Sequence, residues 1–360
     1  MRCISEKYFN FDLCIQKARV VMKRYLIWPV VLSFVVITSC SMQKTARGPL
    51  DIVYVLSDEE SQKVLKPVID TLMAFGIRAP EFQPFYEVKW FPLTNLPGLK
   101  MYHNLIVIAN LNTELGKALA RRILPGDRYK MAFEDSLNLF FVQDFWVSEQ
   151  VFFLIVGRDL SKVKESILAN IGWIYKKIDE NFATQEKKYI FKYGEQKNIS
   201  RHLWEKYHWT MRIQHDYVLL REYPDRGFVW LGRGFPYRWV SVSWAKGFKP
   251  DWMTESGLYE KRNEIGKFYR DIRTDKRFLG YYWTKFGKWK ALKMYGLWYH
   301  EKETKGGPFI TYAFYDLSTD RTFVVDMLVF APGEKVTILL RQVELMAKTL
   351  TTTYDPKILD

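Results

Sequence analysis

The chain has 360 residues, of which 54 are Lys or Arg and 40 are Asp or Glu, for a formal net charge of +14. Its cysteines are Cys3, Cys14 and Cys40, so residues beyond position 40 form no internal disulfide and no cysteine metal site. The length allows a sizeable core, or two linked ones, without such staples, and the basic excess suits anionic partners.

Residues 1–21 mix polar and basic side chains and read as an upstream extension before Met22. Lys23 and Arg24 then precede an almost wholly apolar run over 25–37, closed by Ile37-Thr38-Ser39-Cys40. A charged start, a short apolar core and small closing residues make a secretory signal, here 22–39. The run is shorter than the roughly 20 residues of a membrane span and contains Pro29. An uncleaved N-terminal anchor is the alternative. The closing residues resemble the bacterial lipobox, which implies that Cys40 is lipidated and begins the mature protein. Residues 40–49 follow as a lipidated polar tether. They contain no Asp or Glu, whereas an acidic run there resembles a surface-export signal of Bacteroidetes-like bacteria. Its absence favours a periplasm-facing position. An exported lipoprotein is not expected to meet nucleic acid, so the basic charge points to lipid headgroups, envelope glycan or an envelope protein.

The spacing predicts a strand over 51–56 and a helix carrying Val64, Leu65, Val68, Ile69 and Leu72, with Ser57 and Glu60 as a capping box and Pro67 as a kink. Strands are expected over 85–91, 105–109, 137–142 and 151–156, and a short helix over 113–122. Leu160, Val163, Ile167, Ile171, Ile174, Ile178 and Phe182 then mark one face of a single long helix, with Asp159 as its cap. A polar stretch over 184–198 suggests a boundary between halves at 50–195 and 196–355. The second half reads as strands over 209–222, 228–232, 237–244, 289–298, 309–315 and 322–330, with helices over 255–269 and around Val336, Leu340 and Val343. Both halves end in strands followed by an amphipathic helix, which suggests similar halves. The expected class is α+β, with mostly antiparallel sheet and amphipathic helices packed on one face.

Several segments resemble a family of uncharacterised Bacteroidetes-type lipoproteins, a domain-of-unknown-function family, between about Gly48 and Tyr354. They are Ala79-Pro80-Glu81-Phe82-Gln83-Pro84-Phe85-Tyr86, Tyr102-His103-Asn104-Leu105-Ile106, Gly296-Leu297-Trp298, Gly306-Gly307-Pro308-Phe309, Ala331-Pro332 and Arg341-Gln342-Val343-Glu344. The resemblance implies the lipoprotein address; it supplies no activity and assigns no catalytic residues.

Arg341 and Glu344 share a helix face. They read either as a surface ion pair or as a polar contact onto the Gly306-Gly307 turn. His202, His208 and His215 cluster without a zinc-helix spacing, so no metal and no cofactor is expected. Asp316, Asp320 and Asp326 surround a predicted hairpin, where Asp serves turns. The least usual stretch is 276–305, where aromatic residues interleave with lysines. It reads either as a half-buried strand pair or as a surface that binds glycan or lipid headgroups through Tyr282, Trp283, Trp289, Lys290, Trp298, Gly306 and Gly307. The expected function is a lipid-anchored envelope component for binding or assembly. Its rivals are an enzyme acting on envelope glycan or lipid and a structural subunit of an outer-membrane complex.

Overall fold

Continuous apolar runs shape the first half. The computed structural model describes residues 43–78, 81–269 and 271–360. The upstream extension, the signal, Cys40, and Ala79 and Pro80 of the family-like run lie outside the described residues. Strand β1 (Ile52–Ser57) is buried along its whole length. Helix α1 (Glu59–Leu72) follows, capped by Asp58, whose Oδ1 accepts from Ser61 N at 2.9 Å. The cap is therefore one residue beyond the expected Ser57, which still belongs to the strand. Pro67 does not end α1; it lies on the exposed side of the helix. A ribbon of β2 (Gly76–Arg78) and β3 (Phe82–Pro84) leads to β4 (Glu87–Pro92), α2 (Leu96–Leu99), β5 (Asn104–Asn110), α3 (Glu114–Ile123), α4 (Gly126–Phe133), β6 (Leu139–Gln143) and β7 (Val151–Gly157).

The first sheet has the order β4-β1-β5-β7-β6 and is parallel except at β6. One face packs on α1, α5 (Leu160–Ala169) and α6 (Ile171–Ile190), the other on α3 and α4. This corrects the expectation of helices on one face. The cause is visible in β1, β5 and β7, which bury both sides and so lack the alternation of a half-exposed strand. The long predicted helix is two helices that break at Asn170, whose side chain donates back to Ser166 O at 2.8 Å. Val163, Ile167, Ile174, Ile178 and Phe182 nevertheless all reach the same core. Asp159 caps α5 as expected, accepting from Ser161 N at 2.9 Å.

After α7 (Lys197–Tyr207), residues 209–217 run as a buried segment that bridges residues 195 and 351 without joining a sheet. The elements β8 (Val218–Tyr223), β9 (Phe228–Arg233), β10 (Tyr237–Lys246), α8 (Glu255–Phe268), β11 (Ile272–Phe286), β12 (Trp289–His300), β13 (Gly306–Asp316), β14 (Arg321–Phe330), α9 (Val336–Ala347) and α10 (Pro356–Leu359) complete the chain. The second sheet has the order β11-β12-β13-β14-β10-β9-β8 and is antiparallel throughout. Helices α7 and α9 cover one face and α8 the other. Eight of the eleven strand pairings among the described residues are antiparallel, which bears out the α+β class. The halves do not repeat each other, because one sheet is mostly parallel and the other wholly antiparallel.

Residues 43–360 form one compact unit. Helix α9 joins its two layers: Leu345 packs against the core of each sheet. Residues 43–49 of the expected tether are also part of this body, since Thr45 bridges Ser148 and Arg47 bridges Tyr102.

Candidate functional site

The strand-pair reading of 276–305 holds, and it divides the expected binding surface. Side chains alternate between the faces of a sheet. Tyr282 lies opposite Lys293 and Trp283 opposite Leu292 in the β11–β12 hairpin. Tyr282 and Trp289 therefore point to the α9 side, and Trp283, Lys290 and Trp298 to the α8 side. Trp283 and Tyr282 are 50 % and 47 % exposed, and Lys290 Nζ sits 5.0 Å from the Trp283 ring centroid. Trp289 is only 7 % exposed, stacks on Phe314 at 4.5 Å and donates from Nε1 to Asp316 Oδ1 at 3.2 Å. Trp298 is 2 % exposed and donates to Val329 O at 3.2 Å. Both are core side chains.

Gly306 and Gly307 open β13. A Cβ on Gly307 would stand 2.1 Å from Val329 O, the carbonyl that takes the Trp298 indole proton. Phe309, last of the Gly-Gly-Pro-Phe run, lies under the Arg262 guanidinium at 3.6 Å. Arg262 forms a buried ion pair with Asp326 at 3.0 Å. Close packing accounts for this motif.

A bulge in β11 gathers the more open chemistry. Pairing jumps from Asp275 opposite Leu297 to Gly280 opposite Tyr295, so residues 276–279 face Gly296 alone. Gly280 lets the tip of the Tyr295 ring lie across β11, since a Cβ there would stand 2.2 Å from it. A recess of about 580 Å³ lies between the bulge and the β2–β3 ribbon, lined by Ile77, Arg78, Phe82, Arg277, Phe278 and Tyr295. A second recess, of about 510 Å³, is lined by Arg277, Phe278, Trp298, His300, Lys305 and Gly307. Arg277 grips Asp275 with Nε–Oδ1 3.0 Å and Nη2–Oδ2 2.7 Å, which lowers the Asp275 pKa and raises that of Arg277. Arg78 has no ion-pair partner among the described residues. His300 Nδ1 accepts from the backbone N–H groups of Lys302 and Glu303, both at 3.1 Å, so its neutral tautomer carries the proton on Nε2. The structure thus brings Trp298, Gly306 and Gly307 to one recess and leaves Tyr282, Trp283, Trp289 and Lys290 outside it. Sequence reasoning missed Arg277, Phe278 and His300 as a group; the signal was Gly280 among aromatic residues, a mark of a bulge.

The Arg341–Glu344 pair is neither a surface ion pair nor a contact to the Gly306 turn. Arg341 Nη2 donates to Tyr86 Oη at 3.0 Å and pairs with Asp179 on α6, and its guanidinium lies 3.4 Å over the Phe182 ring. Gln342 accepts from Arg238 and donates to Glu186. Glu344 pairs with Lys293 and Lys348, each at 3.0 Å, and accepts from Tyr312 Oη. Burial alone would raise the Glu344 pKa, but the two ammonium groups and the Tyr312 hydroxyl hold it well below the usual carboxylate range. Burial raises Glu186. The motif works as a polar clamp around α9.

Asp316 serves its turn, accepting from Ser318 Oγ at 2.7 Å and Thr319 Oγ1 at 2.8 Å. Burial opposes its ionisation, yet these hydroxyls, Thr352 and the Trp289 indole bring it to about 2. Asp326 lies instead in the middle of β14. His202 binds Glu222 at 2.9 Å, and His208 is the left-handed cap of α7. Among the described residues, no three His, Cys, Asp or Glu converge as metal ligands.

Residues 196–349 match the model of a family described as a domain of unknown function (DUF4837). The resemblance to a domain-of-unknown-function family, expected over 48–354, is thus borne out over 196–349. No curated protein matches the chain. Among solved structures, the chain is similar to the Saccharomyces cerevisiae Ran-binding protein Mog1p (11 % identity, 42 % of this chain and 93 % of that one, TM-score 0.29). It is also similar to a Bacteroides thetaiotaomicron protein (12 %, 42 % and 47 %, TM-score 0.26). A third similarity is to LpqN, involved in cell envelope biogenesis of Mycobacterium tuberculosis (14 %, 40 % and 82 %, TM-score 0.26).

Proposed function

We propose that this chain is a lipid-anchored, periplasm-facing envelope protein that acts as a binding or assembly component, with the β11 bulge as its recognition surface. The observation that carries this reading is that Arg277 and Phe278 line two adjoining recesses at once. Arg78 and Tyr295 add a second cation and a ring on one side, and His300 and Lys305 add polar groups on the other. Guanidinium groups attract phosphate or carboxylate, and aromatic faces stack on sugar rings. An acidic or phosphorylated envelope glycan combines both features. The anchor rests on the lipobox-like Ile37-Thr38-Ser39-Cys40. Among the described residues, no helix is long and apolar enough to cross a membrane.

Calorimetric titration of the full chain with a phosphorylated oligosaccharide and its neutral counterpart tests the site. Binding should favour the charged form, and Arg277→Ala together with Arg78→Ala should weaken it at least about tenfold, the equivalent of about 1.4 kcal/mol. Equal binding of both sugars, or an unchanged double variant, would refute the assignment. The mass of the N-terminal peptide tests the anchor separately.

A further inference from the structure

Residues 43–47, within the stretch expected as a polar tether, are held at several points. Ala46 N donates to Ser148 O at 2.9 Å, Ser148 N to Lys44 O at 3.0 Å, and Arg47 N to Met101 O at 2.8 Å. Gln43 Nε2 donates to Asp144 O at 3.0 Å, and the Arg47 guanidinium lies 5.5 Å from the Tyr102 ring centroid. Fully buried Gln150 locks the two supporting loops together. Its Nε2 donates to Lys100 O at 2.9 Å and Tyr102 O at 2.8 Å, and its Oε1 accepts from Trp146 N at 3.1 Å. Three residue steps lead from Cys40 to Gln43, a reach of at most about 11 Å.

The same two loops border a recess of about 170 Å³ lined by Leu96, Lys100, Leu119, Arg122, Phe145 and Trp146. Its floor is apolar and its charged side chains are basic. Among the described residues, Lys44, Lys100 and Arg122 have no carboxylate partner. Lysine and arginine around an amphipathic indole are the chemistry of a headgroup layer, where cations meet lipid phosphate and the ring sits at the apolar boundary.

We infer that this end of the first sheet is a membrane-docking face that engages the anionic phospholipid headgroups of the bilayer holding Cys40. The inference rests on the anchoring proposed above. With so short a leash, a body fastened at residues 44–47 is kept within reach of the headgroups at this end. The unpaired cations supply the attraction, and the Trp146 recess supplies an apolar foothold.

Full chain produced in a bacterial envelope provides the test, and the mass of its N-terminal peptide first reports acylation by itself. The protein is then reconstituted into phosphatidylcholine vesicles with or without phosphatidylglycerol, and hydrogen exchange is read by mass spectrometry. Peptides over 96–102, 119–123 and 144–148 should exchange about thirtyfold more slowly with the anionic lipid, the effect of about two basic residues at the surface. High salt, or Lys100→Gln with Arg122→Gln, should remove the difference and leave α8 peptides unchanged as a check on folding. Equal exchange in both vesicles would overturn the docking face with the anchor intact. Protection already present in detergent, with no further effect of vesicles, would mean that the protein closes the recess without headgroups and would overturn it too. If Cys40 carries no lipid, the anchor falls, while salt-sensitive protection by anionic vesicles would still support the headgroup contact.

Discussion

Trp283 and Trp289 look alike in the sequence and differ by burial and hydrogen bonding. Trp289→Ala removes an indole stacked on Phe314 and leaves Asp316 without one donor; it should cost about 3–5 kcal/mol in urea unfolding. Trp283→Ala, on the exposed hairpin surface, should cost less than about 1 kcal/mol. Similar losses for both would contradict the assignment of faces. Glu344 and Asp316 make a second case. Both carboxyls titrate below their ordinary values in the folded chain, Asp316 at about 2. Their contribution to stability is therefore full above the unfolded values of about 4 and is lost as pH falls through the folded ones. Unfolding midpoints should drop between pH 5 and about pH 2. Glu344→Gln should make that drop shallower and cost about 2–3 kcal/mol at neutral pH, because Lys293 and Lys348 lose their shared counter-charge. A pH dependence identical to that of the parent chain would refute this account. The turn role of Asp316 was legible from its place in a polar hairpin. The roles of Asp326 and Glu344 were not, because their partners lie on β12, α8 and other elements distant in sequence.

At the scale of elements, the Gly-Gly-Pro-Phe run and the Arg-Gln-x-Glu run are joints. The first lets β13 pass under the Val329 carbonyl. Gly307→Ala would force that backbone aside, since a Cβ falls 2.1 Å from its oxygen; a thermal melt should show at least about 2 kcal/mol of destabilisation. Gly306→Ala has a looser nearest contact, 2.8 Å, and should cost less. The reverse order would refute the packing argument. The second run fastens α9 on several sides. Its spacing predicted a shared helix face for Arg341 and Glu344. That face was in reach of the sequence, but its burial was not. Strand β11 was legible only as the first half of the 276–305 strand pair, without its bounds, because its bulge and its charged residues interrupt the alternation that marks a strand.

For the whole molecule, the Arg341–Asp179 and Gln342–Glu186 contacts tie α9 of the second sheet to α6 of the first. Removing the first layer would expose these polar groups together with Leu345. Unfolding followed by tryptophan fluorescence and by far-ultraviolet circular dichroism should therefore give one coincident transition. Two separated transitions would mean that the layers are independent. By itself the sequence determined the absence of cysteine chemistry beyond position 40, most strands and helices, and the mixed class, because these follow from local composition and the periods of apolar residues. Only the tertiary structure decided which strands run parallel, which tryptophans are core, that Arg341 bridges two layers, and that the bulge opens recesses on either side. Those outcomes depend on residues far apart in the chain meeting at one place, and no local period records such a meeting.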